Sequence, residues 1–487
     1  MATIPHRRYT EGLVTAASRG PLAAAFALAL VITAALVQSL YRVPVQVSDS
    51  VDAIVAGQQA ESSWMLLKET SRSSATTLRP MRYLQARWLA TLAERTRLPY
   101  HAVFRGTHGL LACLLIGLFC WAARVTHWRD VPAFAFGLMV FTGLHTFAAM
   151  LREAFPVNHF AAVAAAALMI VAMAVGAPRA WKQLVMLGAL VWALLLVELG
   201  VLVWLAVVAC ALVRLPGVRP RTAMVATLVL VVYVAARPAL GIGSPGIGAH
   251  NSGFGATYLS GADLEARFGA HPLPFLAYNV AGGALSVLAS EPRFGVYQLA
   301  TARTPLALSP VVAINITSSV VTTALILWYA FASLRRPRES WSTDQRLLIV
   351  AGVMLAGGAG LCLTYMKDEI LSVSGAFYAL AAFVAMRGLL DRTARSTLPV
   401  LIALAVVFTA TSSLWAFRAV GVHFELRRVA FITRNDWTRE LPADDRSRWP
   451  SEPAEVALRQ RLKGEALDVR VASPYFLPRW GERYWVE

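Results

Sequence analysis

The sequence has few charged residues and few cysteines, and both shortages exclude classes of protein. Only 15% of the 487 residues are Asp, Glu, Lys or Arg, against roughly 25% in soluble globular proteins. With 57% hydrophobic residues, the chain is too apolar for a soluble enzyme or a disordered protein. The cysteines lie inside apolar runs without CxxC spacing, which excludes a disulfide framework and a cysteine zinc site. They are Cys113, Cys120, Cys210 and Cys362. The composition indicates a polytopic membrane protein.

Lysine is also scarce, although the formal net charge is +17. Of the 45 basic residues, only Lys68, Lys182, Lys367 and Lys463 are lysine. An arginine- and alanine-rich composition is typical of GC-rich bacterial coding. The arginines are dispersed between apolar runs, so the charge does not predict nucleic acid as a partner.

Long apolar runs predict an all-α polytopic membrane protein, because a spanning helix needs about 20 mostly apolar residues. The runs predict eleven spans, with 183–215 read as a hairpin that turns near Glu198. The predicted spans are 21–41, 107–123, 131–151, 159–177, 183–197, 200–213, 222–237, 310–334, 347–365, 370–387 and 397–417.

The basic residues predict the orientation, because short cytoplasmic loops collect Lys and Arg. With the N-terminus inside, the short inner segments hold seventeen basic residues, whereas the short outer turns hold only Arg152 and Lys367. Reading 183–215 as a single span would put the basic turn 335–346 outside. We therefore expect a bacterial inner-membrane protein with a cytoplasmic N-terminus and a periplasmic C-terminus.

Three long segments fall on the predicted outer side. They are the first outer loop 42–106, the second outer loop 238–309 and a C-terminal segment 418–487. We expect residues 1–417 to form the membrane domain, with interfacial helices in both outer loops. The small C-terminal segment is expected to dock on the outer face.

Acidic residues are scarce in the spans, so the acidic pair in the first outer loop is a candidate for chemistry. Asp49 and Asp52 are three residues apart and share one face of a helix. Glu198 and His145 are the ionisable residues nearest the hydrocarbon. We expect Glu198 to be solvated at its hairpin tip and His145 to bond a neighbouring helix.

The architecture resembles the GT-C superfamily of membrane glycosyltransferases, of the dolichyl-phosphate-mannose mannosyltransferase type. The shared features are an inner N-terminus, a long first outer loop with an early Asp, and many spans joined by short turns. The run 49-DSVDAIVAG-57 is similar to the family's first-loop pattern, with Ala53 where an aromatic residue is common. The run 79-RPM-81 is similar to an Arg-Pro-Leu element of such loops.

The resemblance implies that Asp49 is the catalytic base, with Asp52 second, and that the donor is a polyprenyl-phosphate-linked sugar. The acceptor would be a glycan, a lipid or a protein. Arginine forks bind phosphate oxygens two at a time, so outer basic residues are candidates to hold the donor phosphate. The candidates are Arg79, Arg82, Arg87, Arg152, Arg293 and Lys367, with His159 as a positioning residue. Some members use a divalent cation, Mg²⁺ or Mn²⁺, for which Asp368 and Glu369 are the candidate ligands.

Two other readings stay open. An O-antigen ligase-like or polymerase-like enzyme would depend on Arg293, His250 and His271 in the second outer loop. A lipid-carrier transporter or scaffold would need a polar path through the spans, where the sequence offers Glu198 and His145.

Overall fold

The protein is almost entirely helical. The computed structural model describes residues 16–47, 49–70, 78–152, 159–240, 252–254, 257–269, 271, 273–290, 310–335, 337–393, 397–442, 446–448 and 450–471. The helices of the first half are α1 (Ala16–Tyr41), α2 (Asp49–Gln59), α3 (Ser63–Thr70), α4 (Pro80–Thr96), α5 (Tyr100–Ala123), α6 (Asp130–Gly143), α7 (His145–Arg152), α8 (His159–Ala174), α9 (Ala180–Leu196), α10 (Val201–Leu212) and α11 (Pro220–Ala239). The later elements are a hairpin of β1 (Ser252–Phe254) and β2 (Thr257–Leu259), then α12 (Gly261–Phe268), α13 (Leu273–Leu288), α14 (Pro310–Leu334), α15 (Thr343–Leu361), α16 (Ser372–Thr393), α17 (Leu398–Arg439) and α18 (Pro453–Asp468).

Within the described ranges, seven helices are long and apolar enough to cross a membrane. They are α1 from Gly20 onward, α5, α11, α14, α15, α16 and α17. The bent pair of α6 and α7 makes an eighth if it forms one span. The predicted spans 159–177, 183–197 and 200–213 correspond to the shorter apolar helices α8, α9 and α10. Every predicted span therefore overlaps a helix or a bent pair of helices. Among the described residues, only seven single helices are long and apolar enough to cross a membrane.

The centre of the bundle is formed by α6, α8 and α16. Nearly every residue of α8 is buried, and its run of alanines lets neighbouring backbones approach closely. The peripheral helix α11 is the opposite case, since Leu228, Val231 and Val232 are more than half exposed. An exposed apolar helix face of this kind suits contact with lipid. The short helix α8 thus packs inside protein.

The predicted span 131–151 is broken into α6 and α7, which meet at 54°. Leu144 has an extended backbone at the break. A Cβ atom on Gly143 would lie 2.9 Å from the carbonyl oxygen of Trp415, so glycine is needed where α17 crosses. The Nε atom of Arg418 donates to the Gly143 carbonyl at 3.0 Å. This contact satisfies a backbone group that the break leaves open, as a membrane interior requires.

Helix α17 continues well past residue 417, where the predicted last span ends. At about 1.5 Å per residue, its 42 residues extend about 63 Å, roughly twice the thickness of the hydrocarbon core. The buried residues Val422, Leu426 and Val429 follow a helical spacing beyond 417. The structure therefore has one continuous helix across the expected boundary between the membrane domain and the C-terminal segment.

The C-terminal arm, residues 418–471, packs against the helices of the first outer loop. A small apolar core joins α2, α4, the start of α5, Trp437 of α17 and α18. Trp437 is fully buried, and its indole N–H donates to the Val45 carbonyl at 2.6 Å. Arg461 lies over the Tyr100 ring at 4.7 Å. These contacts join the C-terminal arm to residues 42–106, whereas docking on the outer face of a membrane stays a prediction.

Candidate functional site

The first outer loop contributes Arg79, which precedes α4 and pairs with Glu198. The Glu198 carboxylate lies 2.7 Å from Nη2 of Arg79 and 2.8 Å from its Nε. Both Arg79 nitrogens reach the same oxygen, Oε2 of Glu198, and both side chains are about one-third exposed, so the pair is partly shielded from water. The expectation that Glu198 is simply solvated at a hairpin tip is wrong, because a first-loop arginine holds it.

The late turn 367–369 forms the second part of the site. Glu369 is fully buried, and its carboxylate lies 2.9 Å from Arg152 and 3.7 Å from Lys367. Arg152 also reaches Glu425 of α17 at 3.5 Å. A buried carboxylate needs such cations, since an unpaired charge in this environment is strongly unfavourable. Arg152 therefore joins α7, the late turn and α17.

His159 connects these two groups. It is buried at the start of α8 and interacts electrostatically with Arg82, Arg79 and Lys367. Two first-loop arginines and the late-turn lysine thus act electrostatically on one histidine, although the segments are far apart in sequence. We define the basic cluster as Arg79, Arg82, Arg152, His159 and Lys367 together with their carboxylate partners Glu198 and Glu369.

His145 extends the basic cluster towards the interior of the bundle. Its Nε2 atom lies 3.6 Å from Asp368 and 2.8 Å from the Ser286 hydroxyl of α13. The expected bond between His145 and a neighbouring helix is therefore confirmed. Deeper still, Arg418 is 7% exposed and donates to Ser318, Ser319 and other neutral oxygens. These hydrogen bonds use the donors of the Arg418 guanidinium group, so Arg418 links α17 to α14 and α6.

Asp52 lies elsewhere, at the contact between α2 and the C-terminal arm. Its exposed carboxylate accepts from Arg459 of α18 at 3.1 Å. Arg459 also binds Glu440 at 3.1 Å and Glu455 at 2.8 Å. Burial lowers the pKa of Arg459, but the three carboxylates raise it more, so the pKa lies above its ordinary value. Asp52 is thus part of a charged interface between loop and arm.

Arg87 caps helix α2. Its guanidinium donates to the Gly57 carbonyl at 2.7 Å, to the Ala60 carbonyl and to the Glu61 carbonyl at 3.2 Å. A Cβ atom on Gly57 would lie 3.1 Å from the Arg87 backbone, so glycine permits this close approach. Since the last carbonyls of a helix lack partners within it, this contact fixes the C-terminus of α2. Arg87 is therefore occupied by backbone oxygens.

Several predicted residues lie outside the part that the structure describes. These are the side chain of Asp49, which begins α2, and all of His250 and Arg293. His271 is described and exposed. The described residues contain no group of three or more His, Cys, Asp or Glu side chains that could hold a metal ion. Asp368 and Glu369 are instead paired with His145 and with the cations Arg152 and Lys367.

The basic cluster has the chemistry of an anion site. Arg79, Arg82, Arg152 and Lys367 supply four positive charges, against three carboxylates that pair with them, Glu198, Glu369 and Glu425. Arginine and lysine side chains around a partly buried region bind phosphate through charge-assisted hydrogen bonds. Comparison with known proteins finds no matching family model, no similar curated protein and no similar solved structure.

Sequence reasoning missed three members of these networks. Glu198 stood out as the only acidic residue in the apolar spans, but nothing in the sequence pointed to Arg79 as its partner. Arg418 and Glu425 were assigned to the segment beyond the membrane because the apolar run ends at 417. Their spacing of seven, two helical turns, places both on the inward face of α17 and could have found them.

Proposed function

We propose that this protein is a membrane glycosyltransferase of the GT-C type. It transfers a sugar from a polyprenyl-phosphate donor to an acceptor on the outer face of a bacterial inner membrane. The observation that carries the proposal is the basic cluster, in which first-loop arginines meet His159 and the late-turn Lys367. A lipid-linked donor presents its phosphate at the membrane surface, so a phosphate site at the end of a helical bundle suits it.

The eleven-span arrangement with an inner N-terminus is part of this proposal. It puts the segments 42–99, 152–159, 198 and 367–369 on the outer side. Across these segments Arg79 pairs with Glu198, Arg152 pairs with Glu369, and His159 interacts electrostatically with Arg79, Arg82 and Lys367. It puts Asp344 and Arg387 on the inner side, where they form an ion pair. Arg346 likewise reaches the Arg214 carbonyl. The contacts therefore support one consistent sidedness, with α8, α9 and α10 as short crossings inside the bundle.

In this mechanism the acceptor hydroxyl oxygen attacks the anomeric carbon of the sugar. The carbon–oxygen bond to the phosphate breaks, and the polyprenyl phosphate leaves with the bonding electron pair. Asp49 takes the hydroxyl proton as general base. Arg82 and Lys367 bind the phosphate oxygens and stabilise the negative charge that develops there. Arg79 and Arg152 are held by Glu198 and Glu369, which position the basic groups.

The test is sugar transfer by the purified protein in lipid nanodiscs with radiolabelled polyprenyl-phosphate sugars. We expect Asp49→Asn to abolish transfer and Arg82→Gln to reduce it by about 10²-fold, as for loss of one donor to a developing charge. Arg95→Gln is the matched control, because Arg95 lies on the same helix α4 but is exposed. We expect it to keep wild-type activity.

Three results would contradict the proposal. Transfer that persists in Asp49→Asn and Arg82→Gln would move the active site away from the first loop. Movement of intact sugar-lipid across vesicles without any covalent product would instead indicate a transporter. Equal losses in Arg82→Gln and Arg95→Gln would mean that the cluster acts only through general surface charge.

A further inference from the structure

A second site lies where α1 leaves the membrane. A cavity of about 680 Å³ is bounded by the end of α1, the start of α5 and the end of α18. A smaller cavity of about 250 Å³ lies between α1 and α17. Arg42 and Val471 line both. We call the two together the arm cleft; it is built from residues other than those of the basic cluster.

The arm cleft lies at the depth of lipid headgroups. The candidate span of α1 ends at Tyr41, directly before Arg42. A bilayer carries its headgroups directly outside the hydrocarbon core, so Arg42 falls at that level. Arg427 of α17 lines the same smaller cavity as Arg42. The two arginines therefore lie together beside the end of α1.

Three arginines line the arm cleft, namely Arg42, Arg427 and Arg470. Among the described residues, none of their guanidinium groups has a hydrogen-bond or ion-pair partner. Two carboxylates also line the larger cavity. Glu465 is engaged by Arg461 at 3.3 Å and by the His101 N–H at 3.1 Å, and Asp468 lines only the larger cavity. Three arginines against the single carboxylate of Asp468 leave the arm cleft with a positive charge, and the smaller cavity holds Arg42 and Arg427 without a carboxylate.

The other walls are suited to the body of a lipid. In the larger cavity, Tyr41, Pro99, Ala102 and Val469 present mainly apolar surface. The outer face of α1, with Phe26 and Leu30 well exposed, leads from the cavity into the hydrocarbon region. An acyl chain can lie along this face while its headgroup stays at Arg42.

We propose that the arm cleft binds an anionic phospholipid, whose phosphate is held between Arg42 and Arg427. Charge complementarity selects this ligand, because unpaired guanidinium groups at the headgroup layer attract negatively charged lipid. Arginine forks also match the geometry of phosphate oxygens. The lipid would tie α1 to the C-terminal arm and thereby hold the arm on the first outer loop.

The test uses the full-length protein in detergent, stripped of lipid and titrated with phosphatidylglycerol or phosphatidylcholine. Retained lipid is counted by native mass spectrometry, and the melting temperature is measured in parallel. We expect phosphatidylglycerol to bind about tenfold more tightly than phosphatidylcholine and to raise the melting temperature. The double variant Arg42→Gln, Arg427→Gln should lose this preference. The control Arg95→Gln, Arg439→Gln removes the same charge from exposed positions and should keep it.

A further variant keeps the test decisive if the double variant unfolds. Arg42→Lys, Arg427→Lys preserves the charge but not the fork, so we expect binding between that of the wild type and that of the glutamine variant. Equal affinity for the two lipids in the wild type would overturn the proposal. So would equal losses in the control pair, or displacement of the lipid by millimolar inorganic phosphate, which would indicate a site for free anions.

Discussion

Glu369 is a carboxylate without exposed surface, held between Arg152 and Lys367. Replacing it by Gln preserves its shape but removes its charge, so the change tests whether electrostatics stabilise the basic cluster. The variant leaves Arg152 without its closest acidic partner. Arg152 then keeps its ion pair with Glu425, whose carboxylate is 3.5 Å away.

The expected loss of stability follows from these contacts. Removing one partner of a buried ion pair costs about 3–5 kcal/mol, because the remaining charge stays buried and uncompensated. Here Lys367 is about one-third exposed and can be solvated, and Arg152 retains Glu425. We therefore expect the lower end, about 3 kcal/mol, for Glu369→Gln. Arg152→Gln should cost about the same, since Glu369 keeps only Lys367 at 3.7 Å.

The double variant Arg152→Gln, Glu369→Gln separates pairing from other effects. With both charges absent, no buried charge is left without a partner, so the double variant should be more stable than the sum of the single losses implies. We expect a coupling of about 2 kcal/mol between the two sites. The measurement is equilibrium unfolding in mixed micelles, followed by tryptophan fluorescence for all four proteins. Glu265→Gln, at an exposed position of α12, is the control and should change stability by less than about 0.5 kcal/mol.

Additive losses would refute this reasoning. They would mean that Arg152 and Glu369 contribute independently, through packing or through other partners, and that the contact at 2.9 Å is not energetically coupled. A double variant less stable than the additive sum would be equally damaging, because the pair would then not account for the cost of either single change.

Two further changes test contacts of the first outer loop. Trp437→Phe removes the indole N–H that donates to the Val45 carbonyl. Leaving that carbonyl unsatisfied should cost about 1–3 kcal/mol of stability. A proteolysis assay should show earlier cleavage of the C-terminal arm, and unchanged cleavage would contradict the role of Trp437 in docking the arm. Arg87→Gln removes the bonds to the carbonyls that end α2, and should cost about 2–3 kcal/mol in thermal unfolding. The Arg87→Gln variant should keep near wild-type sugar transfer per folded molecule. A larger loss of transfer than of folded protein would instead indicate that Arg87 binds phosphate.

Hydropathy predicted where helices lie better than where they end. The apolar run in α17 stops near 417, but the helix continues for a further 22 residues because its inward face finds another partner. Val422, Leu426 and Trp437 lie on that face and pack against the bundle and then against the first loop. This helical spacing of apolar residues can be read in the sequence. A search for membrane spans misses it, because the search averages hydropathy over a window of residues.

Sidedness rests only on counting spans and basic residues, and it stays a prediction. Arg79, Arg82, Arg152, His159 and Lys367 were grouped by predicted side alone, and the structure brings them into one cluster. Which charge pairs with which could not be predicted in this way. Asp52 and Arg459 are 407 residues apart, and their contact depends on the course of α17 beyond the membrane.

The position of the C-terminal arm also distinguishes the two acidic candidates of the first outer loop. Asp52 lies on the exposed side of α2, where the C-terminal arm supplies Arg459. Asp49 is three residues earlier in the sequence and begins α2. The Asp52 carboxylate accepts a hydrogen bond from Arg459 at 3.1 Å, so in the described structure it links α2 to the C-terminal arm. Asp52→Asn should therefore weaken the docking of the arm more than it slows sugar transfer, whereas a base at this position would reverse that order.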